Sequence, residues 1–392
     1  MRLFSDKQVT VIVTLSMLAL WLSMTAGVAA PTAQYQKQVL FSLGYGPEPE
    51  QIGISPGPGE IDLGEDIPAL SVGGITVAAD DLIYISDQVQ HRIKRFTSKG
   101  ELTLVVDKTV VRLLDALGQP DAEVPVSAGG PVVADPQGRF YAEGQVFDAA
   151  GVMQLSSRDE SGKIVEARGT DRLRSQVSAA AAQGIAMYEG SEPHIVRQYC
   201  DRDGNVYVGM SPAPTEYNLS LTRFDANLQF IQTVPGTSVG WDGRSYGGIP
   251  RKESDPNDQL RVWGPNGELE RIVTLRPPKG TGAEHYDWSR HRWLYNGLCT
   301  LYDASGCIYK VRATELPQQQ WIELLPDFTI RKGITIYKFD HDGNFVLRMD
   351  LRGLPFDINQ PIAIDPAGSI YHLEYYRDHV DFVKETLVVT SP

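Results

Sequence analysis

The sequence predicts an all-β chain folded as a six-bladed β-propeller, and three observations carry that expectation. A turn followed by a tyrosine recurs six times, a second turn trails most of the copies, and one strand is spare at the N-terminus where one is missing at the C-terminus. Each blade is then a four-stranded antiparallel meander, and the spare N-terminal strand closes the ring.

The copy that reads most clearly is Asp80 to Val106. Leu82 to Ser86 is a short β-branched and aromatic run, and Arg92 to Phe96 alternates polar with apolar, so each has the length and pattern of a strand. Thr97 to Gly100 then places Gly at the fourth position of a reversal before Glu101 to Val106 runs back. On this alternation Arg92, Lys94 and Arg95 read as blade surface.

The recurring element has the form Asp-x-x-Gly-x-x-Tyr: Asp caps the turn, Gly accepts the left-handed dihedral, and Tyr packs between sheets. It is complete at Asp135 to Tyr141, Asp201 to Tyr207, Asp303 to Tyr309 and Asp365 to Tyr371. Asp80 to Tyr84 lacks the Gly, and Asp242 to Tyr246 is compressed. The second turn follows an aromatic residue at Phe147-Asp148, Phe224-Asp225, Trp263-Gly264 and Phe339-Asp340. After Tyr371 no second turn follows, and Gln38 to Gly44, QVLFSLG, is the strand available to complete that blade and cover its edge.

Most intervals between successive tyrosines exceed the ~40 to 50 residues of ordinary propeller repeats, so loops must hold the excess. The candidate insertions are Ser156 to Ser191, Ser211 to Asn218, Arg251 to Gln259 and Ala313 to Lys332, and such loops often carry binding function.

Composition narrows the partners. A formal charge of −13 argues against nucleic acid, whose binders present a basic face. A protein, peptide or carbohydrate ligand is compatible with it. The three cysteines, Cys200, Cys299 and Cys307, cannot build a disulfide framework. If Asp303 to Gly306 is a hairpin turn, Cys307 stands opposite Tyr302 and Cys299 falls on the other face, so unpaired thiols are expected.

Residues 1–30 read as an export segment: Arg2 and Lys7 precede an uncharged apolar stretch, and small residues follow at Thr25 to Ala30. The apolar stretch exceeds the usual ~7 to 15 residues of a signal core and could span a bilayer. The segment is therefore either a cleaved signal peptide, giving a secreted or periplasmic protein, or an anchor through residues 8–30 that tethers the propeller outside the cytoplasm. Residues 31–392 form the propeller domain in either case.

The run Ile83-Tyr84-Ile85-Ser86-Asp87, followed by Arg92-Ile93-Lys94-Arg95-Phe96 and Lys99-Gly100, resembles an NHL repeat, and Asp340 to Phe345 resembles the end of another. The likeness covers most of residues 38–389 and is strongest in the first, fifth and sixth repeats. It implies a six-bladed propeller of the superfamily that also holds the lactonase-like propellers, and it says little about activity, because such rings serve as protein-binding and RNA-binding modules, lyases and lactonases.

Metal-dependent propeller enzymes gather their ligands at the starts of the innermost strands. The polar residues there are Glu192, His194, Asn296 and Asn359. Resemblance to the lactonase-like propellers implies calcium held by Glu, Asn and Asp, for which Glu192, Asn296 and Asn359 have suitable oxygens. Resemblance to the lyase propellers implies zinc-binding histidines, and His194 alone falls short of the three a catalytic zinc needs. The bland alternative is a channel-lining pair, Glu192 and His194, satisfied by water or Arg197. The other concentration is His285 to Trp293, whose His285, Tyr286, Trp288, Arg290 and Trp293 are residue types enriched at interfaces, or else a loop packed between blades. Strong repeats with weak chemistry favour a binding or scaffolding module, with a divalent-cation-dependent lactonase-like or lyase-like enzyme as the alternative.

Overall fold

The computed structural model describes residues 32–53, 72–78, 80–87, 89–107, 111–114, 120–124, 132–142, 145–155, 157–161, 163–173, 175, 194–211, 220–249, 258–276, 300–325, 328–354 and 362–390. The export segment lies outside this set. Among the described residues no helix is long and apolar enough to cross a membrane.

Strands dominate, and they form six antiparallel blades. Blade 1 holds Val72–Val77, Ile83–Asp87, Arg92–Phe96 and Leu102–Asp107. Blade 2 holds Val132–Ala134, Phe140–Ala142 and Gln145–Phe147, with its fourth strand shortened to a bridge between Phe147 and Met153. Val146 then donates its N–H to Thr170, and a helical turn at 169–173 buries Leu173 beside Val146, so the outer edge of this blade is covered by helix instead of strand. Blade 3 holds His194–Cys200, Val206–Ser211, Ser220–Phe224 and Phe230–Pro235.

Blade 4 holds Ser238–Val239, Ser245–Ile249, Asp258–Trp263 and Leu269–Leu275. Blade 5 holds Thr300–Tyr302, Ile308–Glu315, Lys332–Phe339 and Phe345–Leu354. Blade 6 holds Ile362–Ile364, Ile370–Tyr375 and His379–Thr390, and its outermost strand is Thr32–Gly44. The expected closing strand is therefore present and longer than QVLFSLG. The innermost strands touch in cyclic order, blade 1 to 2, 2 to 3, 3 to 4, 4 to 5, 5 to 6 and 6 back to 1. Six blades and a closed circuit make the six-bladed propeller. The ring is the compact unit Lys37–Glu385; the described residues outside it, 32–36 and 386–390, are extended strand.

Eleven reversals join first to second and third to fourth strands, and all share one hydrogen-bond pattern, with the N–H of the first residue bonded to the carbonyl of the fifth and the N–H of the fourth to the carbonyl of the first. The fourth residue has positive φ every time, from 59° at Leu228 to 84° at Gly343. This is a type I turn closed by a left-handed residue, and its twist suits a right-twisted hairpin.

The shared pattern corrects two readings of the repeat. In blade 1 the turn starts at Ala78, with Asp81 at the left-handed position at φ 61°, so Asp80 is not the capping residue. In blade 4 it starts at Gly240 and ends at Gly243, so that copy is of full length. The left-handed residue fixes the register, and an expectation keyed on Asp slips where Ala or Gly opens the turn.

In the four blades that keep it, the aspartate does more than cap. One carboxylate oxygen accepts backbone N–H groups of the turn, and the other accepts the hydroxyl of the tyrosine: Tyr141 to Asp135 at 3.1 Å, Tyr207 to Asp201 at 2.9 Å, Tyr309 to Asp303 at 2.8 Å and Tyr371 to Asp365 at 3.1 Å. Where Ala78 and Gly240 stand instead, the buried hydroxyls of Tyr84 and Tyr246 have no hydrogen-bond partner among the described residues. Two of the bonded tyrosines also reach the next blade, Tyr207 to the Gly243 carbonyl and Tyr309 to the Gly368 carbonyl, both at 3.3 Å.

The blade 5 hairpin pairs Tyr302 with Ile308, so Cys307 lies in the turn and not opposite Tyr302 as expected. Cys200 and Cys307 are free thiols; Cys299 is outside the described residues.

Candidate functional site

Strand direction alternates within each blade, so all eleven short reversals fall at the same end of their sheets. Contacts between reversals of adjacent blades put these ends together: Arg202 N–H bonds the Trp241 carbonyl, Ala304 N–H the Pro366 carbonyl, and the Arg223 side chain the Pro265 carbonyl. The other connections, from second to third strand or from blade to blade, deliver the chain to the opposite end. Some are as short as Ala142 to Gln145 and Pro235 to Ser238, but the four long insertions all belong to this set. The ring therefore has a short-turn end and a long-connection end.

The short-turn end is crossed by Trp241. Its indole N–H reaches from blade 4 to the carbonyl of Ile364 on the innermost strand of blade 6, at 3.3 Å, passing over the place of blade 5. The short-turn end of the channel is thus crossed by a side chain.

At the long-connection end the structure places some of the residues the sequence singled out and is silent on others. His194 opens the innermost strand of blade 3, opposite Ser211, at the long-connection end where ligands of a channel site are expected. Glu192, Asn296 and Asn359 lie outside the described residues, as do His285, Tyr286, Trp288, Arg290 and Trp293. Among the described residues no three of His, Cys, Asp and Glu gather to hold a metal ion.

Two aromatic groups at this end escaped the sequence reading. In the connection between the second and third strands of blade 5, the short 3₁₀ turn Gln318–Gln320 leads to Trp321, which precedes the ribbon strands Ile322–Leu325 and Phe328–Ile330. Trp321 is 38% exposed, its N–H is fixed on the Leu316 carbonyl at 3.0 Å, and the Arg331 guanidinium lies 4.7 Å from its ring centre. Ile330 and Ile322 pack the ribbon onto the core shared by blades 6 and 1, so the arm is anchored.

In the matching connection of blade 6, Tyr376 is 39% exposed and stacks on His379 with ring centres 4.7 Å apart. Its hydroxyl donates to Glu374, which also receives Lys37 at 2.6 Å. Burial would raise the Glu374 carboxyl, but these hydrogen bonds and the charge of Lys37 hold it below its ordinary range. His379 lies between Asp378 at 2.7 Å and Asp381 at 3.5 Å. The only sequence signal for Trp321 was an isolated aromatic in a Pro- and Gln-rich insertion, and Tyr376 gave none.

Lys94 is also corrected. The alternation read it as surface, but its side chain and that of Asp87 are wholly buried and 2.9 Å apart at the long-connection end of blade 1.

No family model matches the chain, and no curated protein matches it. Solved structures similar to it include a gluconolactonase from Xanthomonas campestris, 11% identical with a TM-score of 0.37 over 91% of this chain and 100% of that one. Another is regucalcin, a calcium-binding protein from Agrobacterium tumefaciens, 14% identical with a TM-score of 0.40 over 83% and 93%. A streptogramin B lyase is 9% identical with a TM-score of 0.36 over 93% and 100%. These likenesses are too distant to bear on function, and the ring stands on its own sheets, turns and closing strand.

Proposed function

We propose that the protein is an exported NHL-type propeller that binds a protein, peptide or carbohydrate ligand on its long-connection end. One observation carries the reading: all eleven short reversals and the Trp241 crossing share one end, which leaves every insertion to the other. Exposed Trp321 and Tyr376, each held in place by a polar contact, supply rigid aromatic surface there at low entropic cost. The test is a capture experiment on peptide and glycan arrays, with the Trp321→Ala/Tyr376→Ala double variant against an Asn266→Ala control at the short-turn end. Ligands retained by the control and lost by the double variant support the reading; equal retention by both overturns it.

His194 at the start of the innermost strand of blade 3 favours a second reading, a divalent-cation-dependent lactonase-like or lyase-like enzyme. Its ion, calcium in the lactonase-like case, is held by Glu192 and at least two of His194, Asn296 and Asn359. Stoichiometric calcium in protein equilibrated with the ion, lost together with lactone hydrolysis in Glu192→Ala and Asn296→Ala, would replace the first reading with this one. Wild-type protein that takes up no divalent cation removes it.

A further inference from the structure

The joint between the last and first blades carries a loop with no counterpart elsewhere among the described residues. Leaving the closing strand at Gly44, the chain turns back on itself: Ile52 N–H bonds the Gly44 carbonyl at 2.9 Å and Gly46 N–H the Ile52 carbonyl at 3.1 Å. Ile52 itself is fully buried in the core of blades 6 and 1.

Besides the buried Ile52 side chain, residues 44–53 are held to blade 1 through their own backbone. Gly53 N–H donates to Asp87 Oδ2 at 2.9 Å, Arg92 bonds the Pro47 carbonyl at 3.4 Å, and the Gln90 amide bonds the carbonyls of Gly46 and Glu48. Lys94 Nζ donates to both Asp87 and the Gln51 carbonyl. Asp87 Oδ1 accepts the Gln90 N–H at 2.9 Å, so both carboxylate oxygens are used.

Two charges are thus buried beneath a loop. A buried pair of this kind adds little net stability, because the lost hydration offsets the attraction, but it is demanding about geometry. Lifting the loop would return both charges to water. Exposing Ile52 at the end of the loop opposes lifting, and the hydration of the two charges offsets part of that cost. Burial also lowers the Lys94 ammonium below the ordinary lysine value, even against the charge of Asp87, so the closed state bears a solvation cost that opening relieves.

We propose that residues 44–53 are a releasable strap over the joint between blades 6 and 1, locked by Lys94 and Asp87, and that lifting this strap is the first opening of the ring. Val72, the start of the innermost strand of blade 1, is paired with Asp87, so the lock sits beside the channel mouth.

Amide hydrogen exchange on the full chain, read by mass spectrometry, tests the proposal. In the wild type, 44–53 exchanges faster than Val206–Ser211, while Ile83–Asp87 stays protected. Lys94→Met speeds exchange of 44–53 about tenfold or more and leaves Val206–Ser211 unchanged. Gln90→Ala removes only the outer tie and speeds the same segment a few-fold, which keeps the test intact if Lys94→Met fails to fold. An equal rise in all blades, or no change at 44–53 in a folded variant, overturns the proposal.

Discussion

The ring is joined in two ways. Between blades 3 and 4, and again between blades 5 and 6, the joint is an interlock drawn from the repeat: a tyrosine bonded to its own turn aspartate also reaches the glycine carbonyl of the next turn. Between blades 6 and 1 that interlock is absent. Asp81 occupies the glycine position there, and the Tyr371 phenol is kept protonated by burial first, then by Asp365 and least by Asp81. Closure depends instead on singular residues. Phe41 of the closing strand stacks on Phe96 at 5.5 Å and Phe382 at 5.2 Å, and the strap adds the buried Lys94–Asp87 pair. Residues of the repeat therefore interlock two of the interior joints, and residues outside the repeat hold the seam.

Alkaline pH has the largest expected effect, and it acts on both kinds of joint. Burial raises the phenols of Tyr141, Tyr207, Tyr246 and Tyr371 well above 10.0. Above that value the unfolded chain loses phenolic protons that the folded ring keeps, so stability falls as pH rises. Each tyrosine contributes about 1.4 kcal/mol per pH unit at most, and their sum should exceed any single substitution. Denaturant midpoints between pH 9 and 11 measure it, and a flat profile would show that these phenols are not held neutral.

At the seam, Lys94→Met strands a buried carboxylate and should cost about 3–5 kcal/mol, whereas Lys94→Met/Asp87→Leu should recover most of it. Equilibrium unfolding of the single and double variants checks both. If the double variant is as weak as the single, the pair is not the source of the loss.

Gly368→Ala probes an interior joint. The position has φ 83°, and a Cβ would lie 2.7 Å from the Tyr309 hydroxyl and 2.9 Å from Asp303 Oδ2. Strain and collision together should cost about 2–3 kcal/mol. Gly267, at φ 84° with no atom nearer than 3.5 Å, supplies the strain alone, and Gly267→Ala should cost about 1 kcal/mol. Equal losses in thermal unfolding would mean that close approach contributes nothing.

The smallest contrast lies between two tyrosines. Tyr309→Phe removes a hydroxyl bonded to Asp303 and should cost about 1–2 kcal/mol; Tyr246→Phe removes an unpartnered one and should be near neutral. A matching loss at Tyr246 would reveal a partner for its hydroxyl, such as water.

The sequence made the interior of the ring readable because its turns are local. A left-handed residue three places after a cap, and a tyrosine three further on, are visible without any knowledge of packing. Reading slipped where another residue took the special dihedral, as Asp81 does, or where Gly240 replaced the cap. Lys94 was misread because what buries it, the Gln51 carbonyl and its loop, lies far away in the chain. Of the candidate site, His194 was placeable because counting two turns per blade locates each innermost strand. Trp241, Trp321 and Tyr376 obey no repeat, and only the folded ring gives them neighbours.

The closing strand has a further consequence, in time. Lys37 and Ser42 find their partners, Glu374 and Asp381, more than 330 residues later in the chain. During synthesis the first strand of the ring to be made is the last to be paired. Until the C-terminal strands arrive, Thr32–Gly44 must wait as an open edge beside incomplete blades, a state prone to pairing with the wrong neighbour. Ring closure is therefore the natural slow step of folding, and chains halted short of Asp381 should be the ones that aggregate.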